Sequence, residues 1–356
     1  MKLGIIGLPQ SGKTTLFNAL TRSNQPLAMS GGRFEVHTGV VDVPDSRVDK
    51  LSGMFKPRKT IYAKVTYADI AGLESGAAKT GFPGPLLNQL SQMEAFIQVV
   101  RVFENPSVPP AGGSVNPQRD LESLESEFIL NDLIMVERKL ERLTEERKKG
   151  GGRDKGLVER ETALFQHFHG VLSENLPLRT QQLDAEEQKI VSGFGFLSLK
   201  PMLIVLNLSE EQAAPQITYN PAHCQHLALQ CRLEMDLAQL SSEDAAMFMQ
   251  EYGVEELSLS KVIARSYDLL GVQSFFTVGE DEVRAWTVRR GANAVEAAGA
   301  IHSDLAKGFI RAETIAYHDL VTLGGMAEAR SKGKLRLEGK EYIVQDGDIV
   351  HIRFNL

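Results

Sequence analysis

Short apolar runs alternate with polar segments over the first two thirds of the chain, and each run has the length of a buried strand. The first strand, over 2–6, leads through a glycine-rich loop into a helical segment over 15–20. Further strands are predicted at 38–43, 63–69, 95–101, 201–207 and 226–230, and helical segments between 242 and 270 close the core. Strands that alternate with helices are typical of an α/β fold on a mainly parallel sheet.

Two long charged segments interrupt this pattern, with apolar residues at helical spacing. The first covers 120–149, the second covers about 154–172, and three glycines at 150–152 separate them. The pattern predicts an antiparallel helical hairpin that projects from the α/β core. Its tip carries five cations: Arg147, Lys148, Lys149, Arg153 and Lys155. They are either a solvated helix end or a contact for RNA phosphates, and the sequence leaves both open.

The composition changes again from Phe275 onward and predicts a small, separate α+β domain. Its expected elements are a strand at 283–288, a helical segment at 292–305, and strands at 334–342 and 348–354. The expected domains are a nucleotide-binding domain over 1–116 and 200–273, the hairpin over 117–199, and the C-terminal domain over 274–356.

Composition and charge narrow the class of protein. The formal net charge of −7 argues against general nucleic-acid binding, although it leaves room for local basic patches. Cys224 and Cys231 are too few for a disulfide framework and lack metal-ligand spacing, so we expect free thiols. Because no run of eighteen apolar residues occurs and Met1 leads directly into a strand, neither a membrane span nor a signal peptide is expected. These features favour a cytoplasmic protein, and we expect a monomer.

The glycine-rich loop at 7–15 matches the P-loop pattern of Gly, four residues, then Gly-Lys-Thr. A strand–loop–helix turn of this kind aims backbone N–H groups and a positive helix end at a polyphosphate. The predicted nucleotide contacts are Pro9, Gln10, Ser11, Gly12, Lys13, Thr14 and Thr15. Lys13 would reach the β- and γ-phosphates and contribute to catalysis, and the Thr14 hydroxyl would bind Mg²⁺.

A second motif, Asp69-Ile70-Ala71-Gly72, follows the P-loop in the order that P-loop GTPases show. Asp69 at the end of a strand would hold Mg²⁺ through water. The Gly72 N–H would meet the γ-phosphate as a catalytic contact. The polar segment at 23–33 lies where switch I lies in such proteins.

The strand at 201–207 ends in Asn207-Leu208-Ser209-Glu210, where GTPases place Asn-Lys-x-Asp. A longer carboxylate at Glu210 cannot keep the paired contact of that Asp with guanine, and Leu208 offers only an apolar surface to a base. This argues against guanine specificity, so ATP is the expected ligand and GTP the alternative. Asn207, Leu208 and Glu210 are the predicted base contacts, with Cys231 at the base-contacting turn after the strand at 226–230.

From end to end the chain resembles the YchF family, Obg-related P-loop proteins of the translation-factor class. The matching stretches are 7–13, 69–73, 207–210, 275–277 with 282–286, 301–304, 307–313 and 345–351. The resemblance implies an α/β P-loop NTPase core of the Ras-like type, an inserted antiparallel α-helical hairpin and a C-terminal β-grasp TGS domain. It also implies a preference for ATP and an association with the ribosome and its RNA through the hairpin tip and TGS domain. Slow hydrolysis is implied too, since Leu73 stands where Ras-like enzymes have a water-orienting Gln.

Two departures from the family pattern bear on turnover. Gly32-Arg33 stand where a Cys-Thr or Thr-Thr pair is usual, so the Mg²⁺-coordinating Thr is missing or is replaced by Thr38 in shifted register. The loop at 104–110 lacks a His that family members often carry there as an aid to hydrolysis. We therefore expect slower turnover than in the relatives that retain these residues.

Three functions stay open at this point: a slow ATPase that acts as a ribosome-associated switch, a GTPase in the same role, or a docking module that nucleotide merely gates. Leu73, Arg33 and the absent His favour the third function, whereas the intact Lys13, Thr14 and Asp69 favour the first. A basic set in the C-terminal domain either binds RNA or keeps strand edges soluble. Its members are Arg311, Arg330, Lys332, Lys334, Arg336, Lys340 and Arg353.

Overall fold

The computed structural model describes residues 1–26, 36–71, 73, 82–149, 152–210, 212–218, 224–251 and 258–355. The chain divides into two compact units. The first consists of Met1–Val40 and Thr66–Leu259, and the second of Val41–Val65 and Ser260–Leu356. In the described part of the chain, no helix is both long and apolar enough to cross a membrane.

The elements follow one another in a largely alternating order. In chain order they are β1 (Lys2–Ile6), α1 (Lys13–Thr21), β2 (Val36–Asp42), α2 (Ser46–Phe55), β3 (Lys59–Ile61), β4 (Lys64–Ile70), α3 (Gly84–Gln92), β5 (Ala95–Arg101), α4 (Pro117–Lys149), α5 (Lys155–Ser173), α6 (Ala185–Val191), β6 (Met202–Asn207), β7 (Cys224–Leu229), α7 (Cys231–Ala238), α8 (Ser242–Glu251), α9 (Ser258–Leu269), β8 (Val272–Val278), β9 (Glu282–Arg289), α10 (Ala294–Ile301), α11 (Ser303–Lys307), β10 (Phe309–Ala316), α12 (Tyr317–Leu323), α13 (Met326–Ser331), β11 (Arg336–Glu338) and β12 (Asp348–Phe354). β1 and β5 coincide with the predicted strands. The elements α2, α3, α6, α7, β3, β8, β10, α12 and α13 are additional to those that the sequence pattern predicts.

The first unit is organised around a six-stranded sheet of order β2-β4-β1-β5-β6-β7. β1 pairs in parallel with both β4 and β5, and the parallel pairing continues through β6 to β7. β5 and β6 are buried along their whole length, as in a sheet covered on both faces. Because β4 lies on one side of β1 and β5 on the other, the strand order reverses beside β1. Ligands of such sheets bind at the carboxyl ends of the strands at this point, which is where the P-loop follows β1.

The predicted helical hairpin is formed by α4 and α5 within the first unit. Its apolar seam includes Val136, Leu164, Phe165 and Phe168, and all four side chains are buried. The hairpin is longer than the sequence pattern indicates at its base, since α4 begins at Pro117. Both predicted helices are thus present, and α4 extends the first of them by three residues at its start.

Buried polar contacts join the base of the hairpin to the segment that returns to β6. Asp132 on α4 accepts hydrogen bonds from the Leu197 N–H (3.0 Å) and from the Ser198 N–H and hydroxyl (both 2.7 Å). Glu125, also on α4, forms a fully buried ion pair with Arg179. These contacts hold α4 and the returning segment in one relative position, because breaking them would leave a buried charged group without its partner.

The second unit contains a mixed sheet of order β11-β10-β12-β8-β9-β3. β8 pairs antiparallel with β9, and β10 pairs antiparallel with β11 and β12, whereas β12–β8 and β3–β9 are parallel pairs. Ala294, Ala297 and Ala298 of α10 pack against Phe275 and Ile352 of the sheet. The mixed sheet and its packed helix confirm the α+β character predicted for the C-terminal region.

Residues 41–65 group with the second unit, although the sequence pattern placed them in a domain over 1–116. The reason is long-range strand pairing, since Lys59–Ile61 (β3) pairs with Glu282–Arg284 on β9. Local periodicity carries no information about such a partner. The domain boundaries predicted at 116/117, 199/200 and 273/274 stay predictions.

Candidate functional site

Two glycines shape the loop between β1 and α1. Gly7 has φ of 151°, and a Cβ there would lie closer than 3.0 Å to the carbonyl oxygen of Val99 on β5. Gly12 has φ of 99°, and a Cβ there would lie closer than 3.0 Å to Nδ2 of Asn207 at the end of β6. Both positions thus require a residue without a side chain. The loop is held against the ends of two strands, with the first-turn N–H groups of α1 available for an anion.

The other predicted loop residues differ in exposure. Pro9 is exposed, Gln10 and Thr15 are half-buried, and Ser11 is buried. Gln10 has a positive φ of 63°, which is unusual for a residue other than glycine. Such strain is typical of loops whose conformation serves a ligand.

Lys13 begins α1 and is half-buried beneath the loop. Its Nζ donates a hydrogen bond of 3.0 Å to the carbonyl oxygen of Leu8. Burial lowers the pKa of Lys13 to about 8, while the negative charge of Asp69 acts in the opposite direction. The ammonium group is therefore poorly solvated and suited to bind an incoming phosphate oxygen.

Thr14 and Asp69 meet although they are far apart in the chain. The Thr14 hydroxyl donates a hydrogen bond of 2.7 Å to Oδ2 of Asp69. Asp69 is 5% exposed, and its Oδ1 is buried without a hydrogen bond to any residue that the structure describes. Burial raises the pKa of Asp69, against the lowering effects of Thr14, Lys13 and His37.

These oxygens fit a hard divalent cation such as Mg²⁺. A hydroxyl and a carboxylate with a buried unpartnered oxygen supply the ligand type that Mg²⁺ prefers. Among the described residues, no group of three or more His, Cys, Asp or Glu side chains could hold a metal ion. Mg²⁺ at nucleotide sites needs no such group, because waters and phosphates complete its coordination.

His37 is a neighbour of this site that sequence reasoning did not identify. It lies on β2, which adjoins β4, and its charge would lower the pKa of Asp69. Successive strand residues face opposite sides, so Thr38 points to the side opposite His37, and the Thr38 side chain is exposed. The structure thus gives no support to Thr38 as a Mg²⁺ ligand. Gly32-Arg33 and Gly72 lie outside the described residues.

Asn207 joins the P-loop to the start of α7. Its Nδ2 donates to the Ser11 carbonyl oxygen (3.0 Å), and its Oδ1 accepts from the Cys231 N–H (3.1 Å). Both ends of the amide are therefore engaged with the protein backbone. The base contact predicted for Asn207 stays a prediction, and these bonds show that its amide connects the P-loop with the first residue of α7.

The remaining predicted base contacts lie at the same end of the sheet. Leu208 is partly buried against the core, and its N–H donates to the Leu229 carbonyl oxygen (3.0 Å). Glu210 is exposed. Cys231 begins helix α7, so the expected turn is the first turn of a helix. The Cys231 thiol is wholly buried, and burial raises its pKa.

The loop that follows β5 is fixed by an arginine that the sequence did not single out. Arg101 Nε donates to the Phe103 carbonyl oxygen (3.1 Å), and Nη2 donates to the Val108 carbonyl oxygen (2.7 Å). Its guanidinium group also lies 4.4 Å from the centre of the Phe103 ring. The loop thus has a defined conformation close to Leu8 and Pro110, which line one small cavity with Arg101.

The two predicted basic surfaces are partly neutralised by neighbouring carboxylates. At the hairpin tip, ion pairs join Lys149 to Glu145 and Arg153 to Glu146 and Glu161. In the C-terminal unit the paired members are Lys334, Arg336 and Arg353. Six exposed cations make no ion pair with a described residue. They are Arg147 and Lys148 at the hairpin tip, and Arg311, Arg330, Lys332 and Lys340 in the second unit.

Comparisons with known proteins identify the family of this chain. Residues 272–355 match the family model YchF-GTPase_C, which is described as "Protein of unknown function (DUF933)". The chain is 40% identical over 369 residues to the "Ribosome-binding ATPase YchF" of Bacillus subtilis (strain 168), covering 99% of each chain. It is 39% identical over 368 residues to the protein of that name from Pasteurella multocida (strain Pm70), covering 100% of this chain and 99% of the relative. The solved structure of the Schizosaccharomyces pombe YchF GTPase matches with a TM-score of 0.84 and 31% identity, covering 99% of this chain and 97% of the other.

Proposed function

The chain belongs to the YchF family, and from this premise we propose that it is a Mg²⁺-dependent, slow ATPase whose nucleotide state controls its association with ribosomes. The bacterial relatives are named ribosome-binding ATPases, whereas the Schizosaccharomyces pombe relative is named a GTPase. The observation that carries the proposal is the contact between Thr14 and Asp69 beside a loop that requires glycine at positions 7 and 12. A cytoplasmic location follows from the ribosomal partner.

Different residues of the site bind different parts of a nucleoside triphosphate. The N–H groups of the P-loop and of the first turn of α1 bind the phosphates. Lys13 gives up its hydrogen bond to the Leu8 carbonyl oxygen and donates to phosphate oxygens instead. Thr14 and Asp69 would hold Mg²⁺. Bound Mg²⁺ neutralises charge on the β- and γ-phosphate oxygens. Gly72 is proposed to donate its N–H to the γ-phosphate.

Slow hydrolysis follows from the residues near the proposed γ-phosphate position. Leu73 is 1% exposed and packs in the hydrophobic core, so its apolar side chain cannot orient a water. The loop at 104–110 contains no His. The rate then depends on another group, or on a partner that supplies one.

The preference for ATP rests on the residues at the end of β6. The amide of Asn207 is engaged by backbone groups of Ser11 and Cys231, so we assign it the positioning of the loops around the base. Leu208 supplies apolar surface. Glu210 is too long to reproduce the paired contact that an Asp makes with guanine.

Calorimetric titration with non-hydrolysable ATP and GTP analogues in Mg²⁺ tests the proposal. Wild type is expected to bind the ATP analogue more tightly, Lys13→Ala to lose binding of both, and Glu210→Asp to gain affinity for the GTP analogue. Tighter binding of the GTP analogue to wild type would overturn the assignment of ATP. Binding of neither analogue would overturn the nucleotide site itself.

A second function, a docking module with negligible turnover, is favoured by the burial of Leu73 and by the loop without His. Single-turnover hydrolysis in the presence of ribosomes separates the two functions. Hydrolysis faster than ribosome release supports the ATPase switch, whereas release without hydrolysis supports the docking module.

The ribosomal contact is proposed to lie on exposed cations that make no ion pair within the described residues. These are Arg147 and Lys148 at the hairpin tip, and Arg311, Arg330, Lys332 and Lys340 in the C-terminal unit, which we assign to the TGS class. Replacing Arg147 and Lys148 by Ala should weaken ribosome co-sedimentation and reduce its salt dependence. The matched control is replacement of Lys149 and Lys155, whose charges are offset by Glu145 and Glu159.

A further inference from the structure

A small cavity lies behind the P-loop in the first unit. Its walls include Leu8 and Ser11 of the loop, Gln98 and Arg101 of β5, and Pro110 of the following loop. The cavity volume is about 10 Å³. This is the room that the centre of one water molecule needs, and it is too little for a larger ligand.

Three residues of this wall each carry a polar atom without a hydrogen bond to any residue in the described part of the chain. These atoms are Oγ of Ser11, Oε1 of Gln98 and Nη1 of Arg101. The side chains are deeply buried, with Ser11 and Arg101 at 3% exposure and Gln98 at 1%. Buried polar groups in native proteins are nearly always paired with protein or with ordered water. Three such residues lining one cavity therefore point to a shared partner.

We propose that a single structural water occupies this cavity and binds all three side chains. Its oxygen accepts a hydrogen bond from Nη1 of Arg101, its first proton is donated to Oε1 of Gln98, and its second to Oγ of Ser11. These directions suit the three groups, because the guanidinium can only donate, the amide oxygen can only accept, and a hydroxyl oxygen can accept. Three hydrogen bonds are also the usual number for a buried water.

The water makes Arg101 a positioning residue for the P-loop. The same guanidinium group holds the loop after β5 through the carbonyl oxygens of Phe103 and Val108. The neighbouring carboxylates of Glu104 and Asp120 favour the charged form of Arg101, although burial lowers its pKa. One side chain thus connects the P-loop at Ser11 with the loop over 104–110 that follows β5.

This site is tested without nucleotide, so its failure is distinguishable from failure of the proposed ATPase. A crystal structure of the full chain at high resolution should show one density peak within hydrogen-bond distance of the three atoms. Arg101 Nη1 bonded directly to Gln98 Oε1, with no water in the cavity, would overturn the proposal.

A double-mutant cycle in solution provides the second test. Ser11→Ala and Gln98→Met each remove one partner of the water, and the readout is hydrogen–deuterium exchange of the peptide that spans β5 in the intact chain. We expect each single variant to raise the local opening constant about tenfold and the double variant to raise it about tenfold as well, because the shared water is lost only once. The control pair is Ser11→Ala with Val205→Ala, on buried β6 outside the cavity wall, for which the two effects should multiply. Multiplying effects in the Ser11–Gln98 pair would show that no water is shared.

Discussion

The replacement Gly12→Ala addresses the geometry on which nucleotide binding depends. At φ of 99° an alanine is in a backbone region that L-residues rarely adopt, and its Cβ would lie closer than 3.0 Å to Nδ2 of Asn207. Asn207 must then move away, and the 3.0 Å hydrogen bond to the Ser11 carbonyl oxygen is broken. The substitution therefore acts on the loop conformation without removing any group that touches phosphate.

The size of the effect follows from two costs. A left-handed conformation costs an alanine about 1–2 kcal/mol. Loss of the hydrogen bond, with buried groups left unpaired, costs about 1–3 kcal/mol. Together they disfavour the binding-competent loop by about 2–5 kcal/mol, which weakens the affinity for nucleotide at least about thirtyfold.

Titration with a non-hydrolysable ATP analogue measures this change. The control is Gly170→Ala on helix α5, where an added Cβ meets no atom within 4 Å and affinity should match wild type. The double variant Gly12→Ala with Asn207→Ala removes the overlap and should bind no more weakly than Gly12→Ala alone. An affinity of Gly12→Ala within about threefold of that of wild type would refute the reasoning, because it corresponds to less than the expected minimum loss of about 2 kcal/mol in binding free energy.

Three further predictions concern single side chains. Asp69→Asn keeps an oxygen that accepts from Thr14 but removes the negative charge. In titrations with and without Mg²⁺, the factor by which Mg²⁺ increases the affinity for the ATP analogue should therefore be about tenfold smaller than in wild type. Asn207→Ala should weaken ATP and GTP analogues equally, by about tenfold, because both ends of its amide bind the backbone; a selective loss would make it a base contact instead. Burial raises the pKa of Asp132 to about 6. Between about pH 4 and pH 6 the native state therefore keeps a proton that the unfolded chain has released. The contribution of Asp132 to the free energy of unfolding consequently falls as the pH rises through this range. Measured by calorimetric unfolding, the free energy of unfolding of wild type should fall by about 3 kcal/mol from pH 4 to pH 6 relative to that of Asp132→Asn. A difference between the two proteins that stays constant over this range would contradict the raised pKa.

The sequence was most informative where the signal is local. The P-loop spacing, the apolar runs of β1 and β5, and the helical periodicity of α4 and α5 each depend on neighbouring residues. The meeting of Thr14 with Asp69 was also predictable, because the carboxyl ends of adjacent parallel strands share one edge of a sheet.

Features that depend on distant pairing were not predictable. Three residues of β3 carry no periodicity, yet they pair with β9 far along the chain and bring 41–65 into the second unit. The burial of Arg101 could not be foreseen, since an arginine at a strand end is usually exposed. The start of a helix at Cys231 was interpreted as a turn, because its first residues lack a side-chain cap signal.

Co-sedimentation of the intact chain with ribosomes, with and without a non-hydrolysable ATP analogue, tests the central claim most directly. The account predicts that the analogue changes the bound fraction of wild type and leaves the bound fraction of Lys13→Ala unchanged, since Lys13 lies at the phosphate-binding end of the loop. An equal bound fraction of wild type with and without the analogue, under conditions where titration shows the nucleotide site to be filled, would contradict the proposed switch.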